Sequence, residues 1–340
     1  MKIMDGNRFE TLLQGFTNLK IAVIGDLIAD EYLFCETSRV SREAPVLIVN
    51  YLNREFGLGG ALNVANNLAA LGVRVVPIGL LGMDQAGDDV LTELGQRAVT
   101  TDGIIRQPGF DTIAKTRILA CSLHTTMQQI LRIDRGEQQD LNEGHALRVE
   151  QAALETIDSV DAVIISDYGY GSISDNLLAV LRQKVVQKKL VVMADSRYSL
   201  ERFHGLTAAT PNVPEVQQLV GHRPEPLENL VKVGRHLRSE LNLDCLLITR
   251  GKLGMAVFTS SEKEQIIPVY GGDQVADVTG AGDTVIATFA AARTMGADFF
   301  EAAVFSNVAG GLVVMKRGAA TVSPEELIKA TTALDLKRSI

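Results

Sequence analysis

The chain has 340 residues, 46% hydrophobic and 22% charged, enough to bury a substantial core in one large α/β domain or two smaller ones. A formal net charge of −8 argues against nucleic acid or an anionic membrane as the main partner, because both need a basic face. The opening MKIMDGNRFETLL is polar and acidic, and no apolar run approaches the ~20 residues of a membrane span, so a cytoplasmic protein is expected.

In chain order, the apolar run Lys20–Gly25 predicts a strand ending in Gly25-Asp26, with Asp30 four residues later. Carboxylates just past the carboxyl end of such a strand lie where open α/β sheets bind ligands. Tyr32–Phe34 and Val46–Tyr51 read as strands with no helix between them. Gly59-Gly60 then opens a helix over Ala61–Leu71, with Asn63 and Asn66 in its first turns and a stop at Gly72. An asparagine so placed is also an ordinary cap. The strand Val75–Leu81 and the helix Asp88–Arg97 follow. Thr116–Cys121 and Gln128–Ile133 form a second strand pair, joined by a polar turn around His124-Thr125-Thr126.

Beyond this point, strands alternate with helices. The strands are Ala162–Ser166, Leu190–Ala194, Ala208–Thr210 and Cys245–Thr249; the helices are Ala146–Ile157, Asp175–Gln187, Val213–Val220 and Leu227–Leu241. A hairpin, Met255–Phe258 with Gln265–Val269, precedes helices over Thr284–Thr294, Phe299–Met315 and Pro324–Ala333. The alternation predicts a single α/β domain over 1–340, a doubly wound, mostly parallel sheet with helices on both faces. Strands from about 31–57 and 111–134 would add one small antiparallel sheet to it. Cys35, Cys121 and Cys245 are isolated and fit buried small hydrophobes in a reducing compartment, and the five histidines lack metal-binding spacing. No structural metal is expected.

The most informative stretch is Asp277-Val278-Thr279-Gly280-Ala281-Gly282-Asp283, where a glycine-bearing loop gives way to a helix. The first amides of a helix lack intrahelical partners and carry the positive end of its dipole, so this turn suits an anion. Asp283 adds a carboxylate, a poor phosphate ligand but a good base for a hydroxyl about to attack one. No Walker A motif and no GxGxxG after a strand are present, which disfavours a dinucleotide oxidoreductase.

GGALNVA and DVTGAGD together resemble the two signatures of the ribokinase-like (PfkB) carbohydrate kinases, over about Ile21 to Ser323. Further stretches are similar to the kinase domain of bacterial heptose 7-phosphate kinases of ADP-heptose synthesis. They include Thr37-Ser38-Arg39-Val40-Ser41, Ser166-Asp167-Tyr168 and Thr210-Pro211-Asn212. The resemblance implies ATP with Mg²⁺ and transfer of the γ-phosphoryl group to a sugar or sugar-phosphate hydroxyl. Heptose 7-phosphate at its 1-hydroxyl, a hexose, a ketose phosphate or a nucleoside are the acceptors to weigh, and a weakly catalytic regulatory homologue is the alternative from another class. Asp283 would be the base, with the amides of Gly280, Ala281 and Gly282 as anion hole.

Asp26 and Asp30 would grip sugar hydroxyls over a floor of Gly59, Gly60 and Asn63, and Arg39, Lys115 and Arg132 would meet a phosphate already on the sugar. Asn212 and Glu215 match the element that helps place Mg²⁺ and phosphates through water, Thr249, Gly251 and Gly254 a nucleotide loop, and Asn307 the adenine pocket. As a lone residue Asn212 reads first as the cap of the helix at Val213–Val220. The small sheet would be a lid over the sugar and a homodimer contact. Two departures stand out: Tyr170 and Arg197 occupy positions where the heptose kinases carry lysines.

Overall fold

The computed structural model describes residues 6–121, 127–136, 143–187, 190–261, 263–271, 276–316, 318 and 320–336. The expected turn around His124 lies outside them. The elements are α1 (Gly6–Gly15), β1 (Lys20–Gly25), β2 (Leu27–Val40), β3 (Leu47–Gly60), α2 (Ala61–Ala70), β4 (Arg74–Gly82), α3 (Gln85–Gln96), β5 (Ile104–Gln107), β6 (Ile113–Cys121) and β7 (Gln128–Arg135). There follow α4 (Glu143–Thr156), β8 (Ala162–Asp167), α5 (Asp175–Val186), β9 (Val191–Ser196), β10 (Ala208–Ala209), α6 (Val213–Val220), α7 (Leu227–Glu240) and β11 (Cys245–Thr249). The last are β12 (Met255–Thr259), β13 (Gln265–Ile267), α8 (Ala281–Thr294), α9 (Phe299–Val313) and α10 (Pro324–Leu336).

The large sheet has the order β13-β12-β11-β10-β9-β8-β1-β4-β5. From β5 through β11 all pairs are parallel; β12 and β13 close the far edge antiparallel. β1 explains the layering. Ile21 and Val23 enter one buried cluster, packed with α2, α8 and α9 side chains such as Leu62, Ile286 and Phe305. Ala22 and Ile24 enter the other, with Val149, Leu177 and Leu237 of α4, α5 and α7. A strand covered on both faces must be apolar at every position, which is why it reads as an unbroken run. Helix α1 and strand β5 are additions to the elements expected from sequence. Among the described residues, no helix is long and apolar enough to cross a membrane.

β1 is also the switch point. The chain leaves it for β4 and β5 on one side and for β8 to β11 on the other. The connections that follow β1 and β8 therefore leave in opposite directions, and the crevice above this point is where doubly wound sheets take ligands.

The small sheet is ordered β3-β2-β6-β7. Its outer pairs are antiparallel hairpins, as expected, but β2 and β6 meet in parallel, so the sheet is mixed and not wholly antiparallel. The reason is that the hairpins come from distant segments and both enter from the same end. One residue, Asp26, separates β1 from β2, and β3 ends at Gly60, immediately before α2 begins. The small sheet is thus a direct extension from the crevice.

Candidate active site

Helix α8 begins at the glycine turn. Gly280 adopts φ 74°, and a Cβ there would lie 2.4 Å from Asn63 Nδ2, so both conformation and space require glycine. No side chain caps the helix start, and the Ala281 amide donates to Val278 O at 3.3 Å. In the first turn Asp283 is 5% exposed. Its Oδ2 accepts from Asn63 Nδ2 at 2.6 Å and its Oδ1 from the Tyr168 hydroxyl at 3.4 Å. Burial raises its pKa to about 7, against the lowering effect of those two donors and with a further push from Asp30. A carboxylate with that proton affinity is matched to base catalysis near neutrality.

Asn63 belongs to a zipper between α2 and α8. Asn67 Nδ2 donates to Asn63 O at 2.9 Å, and Thr284 Oγ1 donates to Asn67 Oδ1 at 2.8 Å. Asn63 therefore does not lie open as a pocket floor: its amide holds Asp283. Sequence reasoning passed over Asn67, although it stands one helical turn after Asn63, and Thr284 next to Asp283.

Asp26 also departs from expectation. It is 1% exposed, and its oxygens accept from Ser172 Oγ at 2.5 Å, Tyr168 N at 2.7 Å and Tyr170 N at 3.3 Å. Burial raises its pKa to about 6. Engaged on both oxygens by the loop after β8, it anchors that loop and presents no free carboxylate to a ligand.

Asp30 is buried too, at 6% exposed, and its charge acts on both Asp283 and Tyr168. Arg117 Nη1 donates to its Oδ1 at 2.6 Å, and a Cβ on Gly59 would meet its Oδ2 at 2.6 Å. Register puts Asp30 in one row with Gly57, Lys115 and Asp134, and Tyr32 in the next with Arg117 and Arg132. Residues two apart share a sheet face, so Lys115, Arg117 and Arg132 lie on one face, together with the carboxylates of Asp30 and Asp134. Arg132 pairs with Asp134 at 2.6 Å. Lys115 is buried, its Nζ 5.6 Å from the Tyr170 ring centroid and 6.0 Å from that of Tyr168. Arg117 was not foreseen; the two-residue spacing Lys115/Arg117 within a strand was the available signal. Arg39 is not part of this surface. It is exposed, nine positions from Asp30 along an extended strand, or roughly 30 Å at ~3.3 Å per residue.

Two cavities meet at the glycine turn. One, of about 540 Å³, is polar and lined by Asp167, Asp195, Arg197, Asn212, Glu215 and Asp283 among others. The second, of about 200 Å³, is lined by Thr249, Gly251, Gly254, Asn307, Gly310 and Val314 among others. Val278 and Gly282 border both. Gly254 has φ 80°, and a Cβ there would collide with Ile267 O at 2.0 Å. Asn307 Nδ2 donates to Pro268 O at 2.8 Å, fixing the wall opposite.

Asn212 caps α6: its Oδ1 accepts from Glu215 N at 2.9 Å, while the Glu215 carboxylate accepts from Asn212 N and Nδ2. The capping box fixes Glu215 at the polar cavity. Burial raises the pKa of Glu215 and of Asp195, the latter also through the charges of Glu215, Asp283 and Asp167. Crowded carboxylates with Arg197 as the cation in the described lining are the chemistry of a site that takes phosphates together with a divalent cation. Among the described residues, no group of three or more ligating side chains forms a metal site by itself.

Residues 18–326 match the family described as pfkB family carbohydrate kinase, and the chain belongs to that family. It is 37% identical over 330 residues to the bifunctional protein HldE of Trichlorobacter lovleyi, covering 97% of this chain and 66% of that protein. With HldE of Geobacter sulfurreducens it shares 35% over 326 residues, 96% of this chain and 65% of the relative. The chain thus spans about two thirds of the length of these relatives. In fold it is similar to Escherichia coli phosphofructokinase-2 in complex with potassium, with TM-score 0.75, 17% identity and 93% and 99% of the two chains covered. It is also similar to Arabidopsis thaliana ribokinase complexed with ribose and ATP, with TM-score 0.70, 20% identity and 92% and 98% covered.

Proposed function

We propose that this carbohydrate kinase transfers the γ-phosphoryl group of ATP to the hydroxyl of a sugar phosphate, with heptose 7-phosphate, phosphorylated at its 1-hydroxyl, as first candidate. The observation that carries the reading is Asp283, buried at the polar cavity beside the glycine turn and within electrostatic reach of Asp30. The apolar cavity with Thr249, Gly251, Gly254 and Asn307 takes the adenine end, and the polar one takes the phosphates. Asp283 removes the proton of the acceptor hydroxyl as it attacks, and the amides of Gly280 and Gly282 stabilise charge on the transferring group, the Ala281 amide being engaged by Val278 O. Mg²⁺ bound with the nucleotide supplies positive charge to the phosphates; Asn212 and Glu215 are the residues to hold it, through water. Arg197 adds a fixed cation on the same side.

Asp30 and the backbone at Gly59 and Gly60 grip the sugar, while Lys115, Arg117 and Arg132 meet the phosphate it already carries. The small sheet closes over the acceptor and keeps water from competing for the phosphoryl group. Its other face exposes Leu131 and Ile133, with Leu47, Tyr51 and Leu52 also exposed on β3; this apolar area supports pairing with a second copy of the chain. A different acceptor remains the second reading, favoured by Tyr170 and Arg197 in place of lysines. A panel of sugars and sugar phosphates with ATP and Mg²⁺, read by ADP release, decides between them. Turnover highest on heptose 7-phosphate is expected, and preference for an uncharged sugar would reject the role given to Lys115, Arg117 and Arg132. Asp283→Asn is expected to bind both substrates and lose turnover; retention of more than about a tenth of the activity would reject the base.

A further inference from the structure

Asp283 is held from two sides by donors remote from each other in sequence. Asn63, on α2, contacts one oxygen at 2.6 Å; Tyr168, from the loop after β8, contacts the other at 3.4 Å. Tyr168 is itself fixed from below, because its backbone amide is one of the three donors on the buried Asp26. A carboxylate at the end of β1 thus hangs the β8 loop so that a phenol reaches the first turn of α8. The Tyr168 ring has a second neighbour in Lys115 of the small sheet.

We propose that Tyr168 is a positioning residue for the base: its hydroxyl orients the Asp283 carboxylate, favours its ionised form, and yields Oδ1 to the acceptor hydroxyl when the sugar enters. The inference rests on Asp283 being the base. A contact of 3.4 Å is long and readily exchanged for a shorter one, whereas the 2.6 Å bond from Asn63 persists as the hinge. A hydrogen bond donated to the charged carboxylate lowers its pKa. Since burial brings Asp283 to about 7, losing one donor moves the base out of its working range near neutrality. Other groups around Asp283 are Asp30 from β2 and Asp195 from β9, which oppose its ionisation, and Lys115 and Arg117 from β6, which meet the Tyr168 ring and Asp30. The phenol does not titrate in this range, because the Asp283 charge and burial push its pKa well above 10. Tyr168→Phe keeps the ring, and with it the Lys115 contact, and removes only the hydroxyl.

Protein carrying ¹³C at the aspartate carboxyl carbon is titrated by NMR, with the resonance missing from Asp283→Asn assigned to that residue. In Tyr168→Phe its midpoint is expected to rise by about half to one pH unit, the equivalent of one ordinary hydrogen bond. The acid limb of ADP release with ATP, Mg²⁺ and heptose 7-phosphate should move with it. Activity then falls about two- to fivefold at pH 7 and returns at pH 9. A midpoint displaced by less than about 0.2 unit, or downward, overturns the proposal. So does a loss of turnover equal at every pH with an unmoved midpoint, which marks a merely structural tyrosine. Turnover above about a tenth of wild type in Asp283→Asn instead overturns the base itself, and is told apart because the NMR midpoint needs no substrate.

Discussion

Asp283→Asn should stabilise the folded protein at alkaline pH even as it removes turnover. An aspartate in the unfolded chain titrates near 3.8, and burial holds Asp283 at about 7 when folded. Below pH ~4 both states carry the proton and the residue contributes no difference. Between ~4 and ~7 the unfolded chain gives up its proton while the folded one keeps it, so stability falls as pH rises. Above ~7 the loss is complete. At 1.36 kcal/mol per pH unit it amounts to about 4 kcal/mol, an upper bound given partial hydration of the crevice. The neutral asparagine escapes this penalty and can still accept from Asn63. Urea unfolding of wild type and variant is expected to show a gain of about 1.5 kcal/mol at pH 5, growing to about 4 at pH 8. Asp26, which shifts in the same direction, is present in both proteins and cancels. A gain that does not grow with pH, or a variant less stable at pH 8, would show that burial does not dominate the proton affinity of this carboxylate.

Three further outcomes test other parts of the site. Gly280→Ala places a methyl against Asn63 Nδ2 in a left-handed backbone, so a loss of about 1–3 kcal/mol in thermal unfolding is expected, with kcat falling more than ATP affinity. Arg117→Met leaves Asp30 buried without its ion-pair partner, at a cost of about 3–5 kcal/mol; acceptor KM should rise with ATP KM unchanged, and adding Asp30→Asn should restore stability but not KM. Leu131→Asp puts a charge on the exposed apolar face of the small sheet, and sedimentation should show a shift to monomer with the fold intact.

Much of this was legible in the linear chain because it depends on local rules. Strands buried on both faces read as continuous apolar runs, and the glycines at 280 and 254 stand where backbone angle and close approach admit nothing else. The pairing of GGALNVA with DVTGAGD indicated family and reaction, and the residues lining the two cavities include all the expected nucleotide positions. What the chain could not reveal is how carboxylates divide their work. Asp26 and Asp30 are four residues apart and alike in type, yet one is engaged by three donors of the β8 loop and the other by an arginine of the small sheet. That difference comes from three donors more than 140 residues away. The donors to Asp283 are likewise 220 and 115 residues distant, and Arg117 reaches Asp30 only because two remote hairpins join in parallel. Residue type and spacing determine where charge is available; only the packed fold, by bringing distant donors together and excluding water, decides which charge is quenched and which is poised to act.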